Sequence, residues 1–222
     1  MIDLHVHTTA SDGQYTPTQL IQKAAEHNIK VIAITDHDTV NGLEEAKLAG
    51  EQFGVTVIPG IELNINGSPG EFHLLGLNIT NVSASMKEVL QNVIKNREER
   101  NKSIINKMQT DGKYLEKGKP WYTERTGTNL DEAIVAIKES KGIPVIAHPM
   151  SLYLSWGKLP EMLKQYYEQG VMGIEAFHPG ARVTECLRLQ ELGKQIGFII
   201  TGGSDFHGEK IRSDRRLGHT CG

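Results

Sequence analysis

Apolar runs of strand length alternate with stretches of helical period along most of the chain. Ile2–His7 reads as a strand. Thr16-Pro17 then opens a helix over Thr18–Glu26, with proline in its first turn. The β-branched run Val31–Thr35 is a second strand, and a helix over Leu43–Phe53 is stopped by Gly54. Val55–Ile58 leads into a third strand ending near Glu62, and Phe72–Ile79 is a fourth. From Ser85 to Met108, Val89, Leu90, Val93, Ile94, Ile104, Ile105 and Met108 recur at helical spacing. Thr110–Thr128, rich in Gly, Lys and Thr, has no period and reads as loop. Order resumes with a helix over Leu130–Glu139 and a strand over Ile143–Ala147. It continues with a helix over Leu159–Glu168, a strand over Gly173–Phe177, a helix over Thr184–Ile196 and a last strand over Phe198–Thr201.

Seven strands result. Apart from the link between the third and fourth, each connection can serve as a βα crossover, which predicts mainly parallel pairing. A doubly wound sheet and a closed barrel both fit that order. The polar positions favour the barrel. They stand in short blocks, nearly all directly after an apolar strand: DLHVHTTASDG (3–13), TDHDT (35–39), GIEL (60–63), EFHLLG (71–76), IAHP (146–149) and GGSDFHG (202–208). A barrel gathers such C-terminal strand ends on one rim, whereas a doubly wound sheet collects ligands from fewer strands at one switch point.

These blocks hold six of the nine histidines, together with three carboxylates suited to metal ligation. His5 and His7 stand two apart on a strand, so both face the same way. Asp205 and His207 repeat that spacing after Gly202 and Gly203, which permit close backbone approach. Asp12 follows in a turn. His37 is the ligand of TDHDT, with Asp36 and Asp38 placed to orient it. Glu62, His73 and His148 complete a set of nine. Each residue alone has an ordinary explanation in a turn or a core; nine in series do not. One ion cannot use nine ligands with a bridging carboxylate, but three ions at three or four each can. Asp12, Glu62 and Asp205 supply three negative charges, so three divalent ions leave the site at +3. Such a site can take up hydroxide and a phosphate dianion, which favours a phosphate ester over a neutral amide.

The remaining composition narrows the classes. At 222 residues, the chain suits one domain spanning 1–222. A net charge of −3 with no basic run disfavours long duplex nucleic acid as a partner. Cys186 and Cys221 form no CxxC pair or disulfide framework. No apolar run approaches the ~18 residues that span a bilayer, and Met1 leads straight into a strand with no signal sequence. No membrane and a cytoplasmic location are the expectations.

At these residues the chain resembles the PHP family (the polymerase and histidinol phosphatase superfamily), from HVHTTASDG through TDHDT, GIE, FHLLG and AHP to SDFHG. It is most similar to the stand-alone metal-dependent phosphoesterase branch. The resemblance implies a distorted (β/α)7 barrel with a trinuclear site of manganese, zinc or iron. It makes His5, His7, Glu62 and Asp205 ligands of one ion. Glu62 bridges to a second ion shared with His73 and His148, and Asp12, His37 and His207 hold the third. It also implies a shortened insert after the fourth strand, since relatives carry helices where this chain has the irregular segment 109–129. The expected substrate is a nucleoside 3′,5′-bisphosphate or a short 5′-phosphorylated oligonucleotide, attacked by a hydroxide bridging two metals. Arg97 and Arg100 in NREERN are the candidate substrate arginines. His178 in EAFHP is the candidate for substrate contact and for protonating the leaving oxygen, with Asp205 as its catalytic companion. Histidinol-phosphate phosphatase, an amidohydrolase-type metallo-hydrolase and a non-catalytic metal-binding module are the alternatives.

Overall fold

The computed structural model describes residues 1–67, 70–110 and 127–221. Seven strands form one nearly closed ring in chain order: β1 (Ile2–Val6), β2 (Val31–Ile34), β3 (Thr56–Ile65), β4 (Phe72–Leu77), β5 (Ile143–Ile146), β6 (Gly173–Phe177) and β7 (Ile199–Gly202). Helices α1 (Pro17–Glu26), α2 (Leu43–Phe53), α3 (Ala84–Thr110), α4 (Leu130–Glu139), α5 (Leu159–Gln169) and α6 (Val183–Ile196) connect them. This is the distorted (β/α)7 barrel, with the seven strands where the sequence places them. None of the described helices is long and apolar enough to cross a membrane.

Local chemistry explains the element ends. Thr16 accepts from the Gln19 N–H while Gln19 returns the bond to the Thr16 N–H, with Pro17 in the first turn. Gly54 ends α2 in the left-handed conformation at φ 70°. The irregular segment expected over 109–129 lies mostly outside the described residues, because 111–126 are not among them. At its edges, α3 runs on to Thr110, and Thr128 pairs with Ile65.

One expectation needs correction. The link between β4 and β5 contains helices, which suggested a parallel crossover, yet β4 is antiparallel to both β3 and β5. The hairpin after β3 reverses β4, and β5 returns to the common direction. This reversal explains why the EFHLLG block opens its strand when the others close theirs. In a reversed strand, the beginning lies at the rim where its neighbours end. His73, second in β4, therefore stands at that rim, and Leu75 and Leu77 follow on the same face. The two leucines pack with Ala33, Val145 and Ala147 in a small strand-only cluster. Larger clusters join the outer faces of the strands to the helices.

The ring is drawn together between the segment after β7 and β1. The Asp205 N–H donates to His5 O at 2.8 Å, and the His7 N–H donates to Phe206 O at 2.9 Å. A Cβ at Gly203 would collide with His5 Cβ, so glycine is required for this approach. Asp3 fastens the seam. It accepts from Ser204 N at 2.8 Å, Ser204 Oγ at 2.6 Å and Gly218 N at 2.8 Å. Burial pushes its carboxyl above the ordinary range, against the lowering effect of these bonds. Asp3→Ala strands buried donors and is expected to cost about 2–4 kcal/mol, read as a lower urea midpoint with the m-value unchanged.

Candidate metal centre

All nine sequence candidates meet at the rim. Glu62 is the hub. The pairing of β2 with β3 runs past the end of β2, with the Asp38 N–H donating to Glu62 O and the Glu62 N–H to Asp36 O, so His37 lies beside Glu62. Glu62 Oε2 then stands 3.1 Å from His5 Nε2 and 3.2 Å from both His7 Nε2 and His37 Nδ1. Its Oε1 is 2.9 Å from His73 Nδ1 and 3.1 Å from His148 Nε2. Five imidazoles thus surround one fully buried carboxylate. Asp205 Oδ1 lies 3.4 Å from His7 Nε2, and Asp12 Oδ1 lies 3.4 Å from His207 Nε2.

Supporting bonds fix which nitrogen faces the centre. Ser151 Oγ donates to Glu71 O, so it accepts from His148 Nδ1 at 2.8 Å. His207 Nδ1 donates to Asp205 O at 2.9 Å, and His5 Nδ1 to Glu175 Oε1 at 3.0 Å. In each of these three rings the Nε2 lone pair is left aimed at a carboxylate oxygen. Lone pair against lone pair is repulsive unless a proton or a cation stands between them. Among the described residues, His5 Nε2, both nitrogens of His7 and Glu62 Oε2 are buried without a hydrogen-bond partner. These orphaned atoms are the donor chemistry that divalent cations use. Three groups have ligand atoms within 4.8 Å of one another: His5, His7, Glu62 and Asp205; His7, Asp12, His37 and His207; and His37, Glu62 and His73. Neighbouring ligands at ~2.1 Å from one ion lie roughly 3.4 Å apart, so the observed spacings fit. The first group matches the expected set. In the other two, His7 and His37 are shared more widely than the resemblance implied, and His148 joins through Glu62.

The charge states follow from this crowding. Burial would lower His7, but the Asp205 and Glu62 carboxylates close beside it outweigh burial and raise the imidazole to about 9. Burial dominates at His37; repulsion from His7 and His73 adds to it against the pull of Glu62, leaving it at about 3. Burial opposes ionisation of Glu62, yet His5, His37 and His73 hold it well below the usual carboxylate range. Asp205 is likewise held low, against burial, by His178 and His7.

His178 also reaches the centre. Its Nδ1 accepts from the Gly180 N–H at 3.0 Å, so Nε2 keeps the proton and faces Asp205 Oδ2 at 3.4 Å. The candidate arginines lie on the other side of the rim. Arg97 Nη2 donates to Asp38 Oδ2 at 2.6 Å. With Arg100, Arg97 lines a cavity of about 520 Å³ walled by Asp12, His37 and His73. A second cavity, of about 410 Å³, shares that wall and opens toward His148, His178 and Asp205.

Sequence reasoning missed several residues here. Glu175 is buried on β6 and accepts from His5 Nδ1 and, at 2.7 Å, from the His148 N–H. Its place in GIEAF, at the strand position before the FHP block, carried a signal like that of Glu62. Asp36 accepts from Thr8 and Ser11 and ties the loop after β1 to β2, more than orienting His37. Arg212 and Arg215, beyond the last ligand block, line the His178 side of the rim.

Comparison with known proteins places the chain in a family. The PHP domain model matches residues 3–119. A 5′-3′ exoribonuclease of Haemophilus influenzae is 28% identical over 92% of this chain and 89% of its own length. A 3′,5′-nucleoside bisphosphate phosphatase of Chromobacterium violaceum is 25% identical over 99% of this chain and 91% of its own. A Bifidobacterium adolescentis structure assigned as a metal-dependent phosphoesterase superposes with a TM-score of 0.86 at 24% identity, covering 99% of this chain and 91% of that one. This chain therefore belongs to the PHP domain family.

Proposed function

We propose that the chain is one catalytic domain that hydrolyses a small phosphorylated substrate, a nucleoside 3′,5′-bisphosphate or a short 5′-phosphorylated oligonucleotide, at three divalent cations. The observation that carries this reading is the set of orphaned imidazole and carboxylate atoms converging on Glu62. His5, His7, Glu62 and Asp205 would hold one ion; Glu62, His73 and His148 a second; Asp12, His37 and His207 a third. Manganese, zinc and iron all suit this mixture of imidazole and carboxylate. Cations bound there would supply Lewis acidity, acidifying water and offsetting charge on phosphoryl oxygens.

The protein's own groups do the rest. His178 holds its proton at Nε2, oriented by Gly180 behind it and Asp205 in front, and offers it as a hydrogen bond to charge developing on the departing oxygen. Glu175 fixes the tautomer of His5 and the backbone of His148. The chamber beside Arg97 and Arg100 has room for the remainder of a nucleotide-sized anion. The names of the two relatives, both acting on phosphorylated nucleosides or their polymers, support the substrate class.

Thorough chelation is expected to abolish phosphate-ester hydrolysis, and added Mn²⁺ to restore it; undiminished turnover after chelation would overturn the reading. A panel including nucleoside bisphosphates, 5′-phosphorylated oligonucleotides, histidinol phosphate and amide or lactone substrates separates the proposed reaction from its alternatives. His5→Ala, His148→Ala and Asp205→Asn are each expected to lower kcat by several orders of magnitude, and His178→Gln by about 10²–10⁴-fold. Glu175→Gln is expected to weaken metal affinity about 10–100-fold, measured by metal-buffered titration.

Cation uptake also has a proton signature. In chelated protein near neutral pH, His7 lies below its value of about 9 and is charged, whereas a ligating imidazole is neutral. Metal binding should therefore release protons, and affinity should rise as pH climbs toward that value. The charged His7 stabilises the chelated fold fully below its unfolded value of ~6.5, and that contribution is lost as pH rises through about 9. Calorimetry of Mn²⁺ binding in buffers of different ionisation enthalpy checks the release; a binding enthalpy independent of buffer would contradict it.

A further inference from the structure

Two guanidiniums stand at the rim with no task in the reaction so far. Arg212 Nη1 lies 2.8 Å from Asp205 Oδ2, and Arg215 Nε lies 3.9 Å from the same oxygen. Asp205 turns its other oxygen toward His5 and His7, so the arginines are one carboxylate's width from the imidazole cluster. Both line the 410 Å³ cavity with His178. The Arg215 side chain is only 11% exposed, and its Nε is buried without a hydrogen-bond partner among the described residues.

The segment that carries them is built to hold them. Gly208 turns at φ 108°, and the Arg212 N–H bonds back to its carbonyl at 2.9 Å. Gln14 pins one end by accepting from the Lys210 N–H, and Asp3 pins the other through the Gly218 N–H. Gly180 makes room alongside: a Cβ there would lie 3.3 Å from Arg215 Nη2 and 2.8 Å from His178 Nδ1.

Charge balance says what this pair is for. Two guanidiniums face Asp205 and Asp214, and Asp214 is 61% exposed, where solvent screens it. Once Asp205 spends its charge on a cation, the pair is left with donors and a positive field directed into the cavity. Arginine forks match phosphate oxygens bidentately. A terminal phosphate carries about −1.5 to −2 charge and three free oxygens, whereas an internal diester carries less charge and has two oxygens capped by carbon.

We propose that Arg212 and Arg215 form a phosphate-binding subsite that grips a terminal, dianionic phosphate of the substrate from the Asp205 side of the metal rim. The proposal rests on the phosphoesterase reading and adds to it a preference for phosphate ends. Arg97 does not fill this role, since it sits across the rim with its guanidinium on Asp38.

The test uses metal-loaded wild type, Arg212→Ala, Arg215→Ala and both lysine variants, with Arg216→Ala as control. Arg216 is exposed and lines a different groove, with Lys23 and Glu209. Binding of inorganic phosphate is measured by calorimetry, turnover of p-nitrophenyl phosphate and bis(p-nitrophenyl) phosphate by absorbance, and metal content by mass spectrometry. Each alanine variant should weaken phosphate binding on the order of ten- to a hundredfold. It should lower kcat/KM for the monoester by a similar factor, chiefly through KM, and change the diester far less. Metal content should stay at the wild-type level. The lysine variants keep the charge beside Asp205 and should recover binding only in part. Unchanged phosphate affinity, or equal loss on both esters with lost metal in the lysine variants too, overturns the subsite. If wild type turns over neither ester, the phosphoesterase reading fails, and the phosphate titration still decides the subsite.

Discussion

A carboxylate buried at the centre of five imidazoles is the constraint around which the rest of this molecule is arranged. Glu62 has no exposure, and burying its charge without compensation would be prohibitive. Imidazoles alone give an uneasy solution. His37 stays neutral while His7 is held charged beside it, and the rings repel one another. Divalent cations resolve both problems, because they compensate the carboxylates and use neutral nitrogen. The bonds that fix each ring from behind then acquire a purpose. Glu175, Ser151 and the Asp205 carbonyl all hold an Nδ1 proton so that Nε2 looks inward.

The barrel's irregularity serves the same centre. The six strands that share one direction offer only their C-terminal ends to the rim. Reversing β4 brings the start of a strand there as well, and with it His73, paired with Asn64 of β3 and reaching Glu62 at 2.9 Å. Leu75 and Leu77 continue down that face as an apolar floor, so charge and core are separated by two residues of one strand. On the outside, ordinary amphipathic packing of the helices supplies the large hydrophobic clusters, away from the charged rim.

Much of this was legible before any coordinates. The alternation of strand and helix placed all seven strands, and the polar blocks named residues that do converge, because a β-strand's end fixes where the next few side chains go. What stayed hidden depends on partners far away in sequence. The short link after β3 already stood apart from the crossovers, but periodicity could not show that the helical link from β4 to β5 also joins antiparallel strands. Glu175 looks like any strand residue until His5, from the other end of the chain, is seen against it. Arg212 and Arg215 occupy a turn-rich tail with no pattern of its own, and only the anchors at Gln14 and Asp3 make them part of the site. Arg97 and Arg100 were conspicuous as a charged helical motif, and they border the centre on its other flank.

The seam at Asp3 also decides when the centre is complete. The first strand and the segment after the last are woven into one another there, through Ser204, Gly218 and the backbone of Asp205. Until that seam forms, His5 and His7 stand apart from Asp205 and His207. Half a ligand shell cannot discriminate among competing ions, since selectivity comes from complete geometry. A centre drawn from both sides of the seam therefore gains its full complement of donors only when the ring closes.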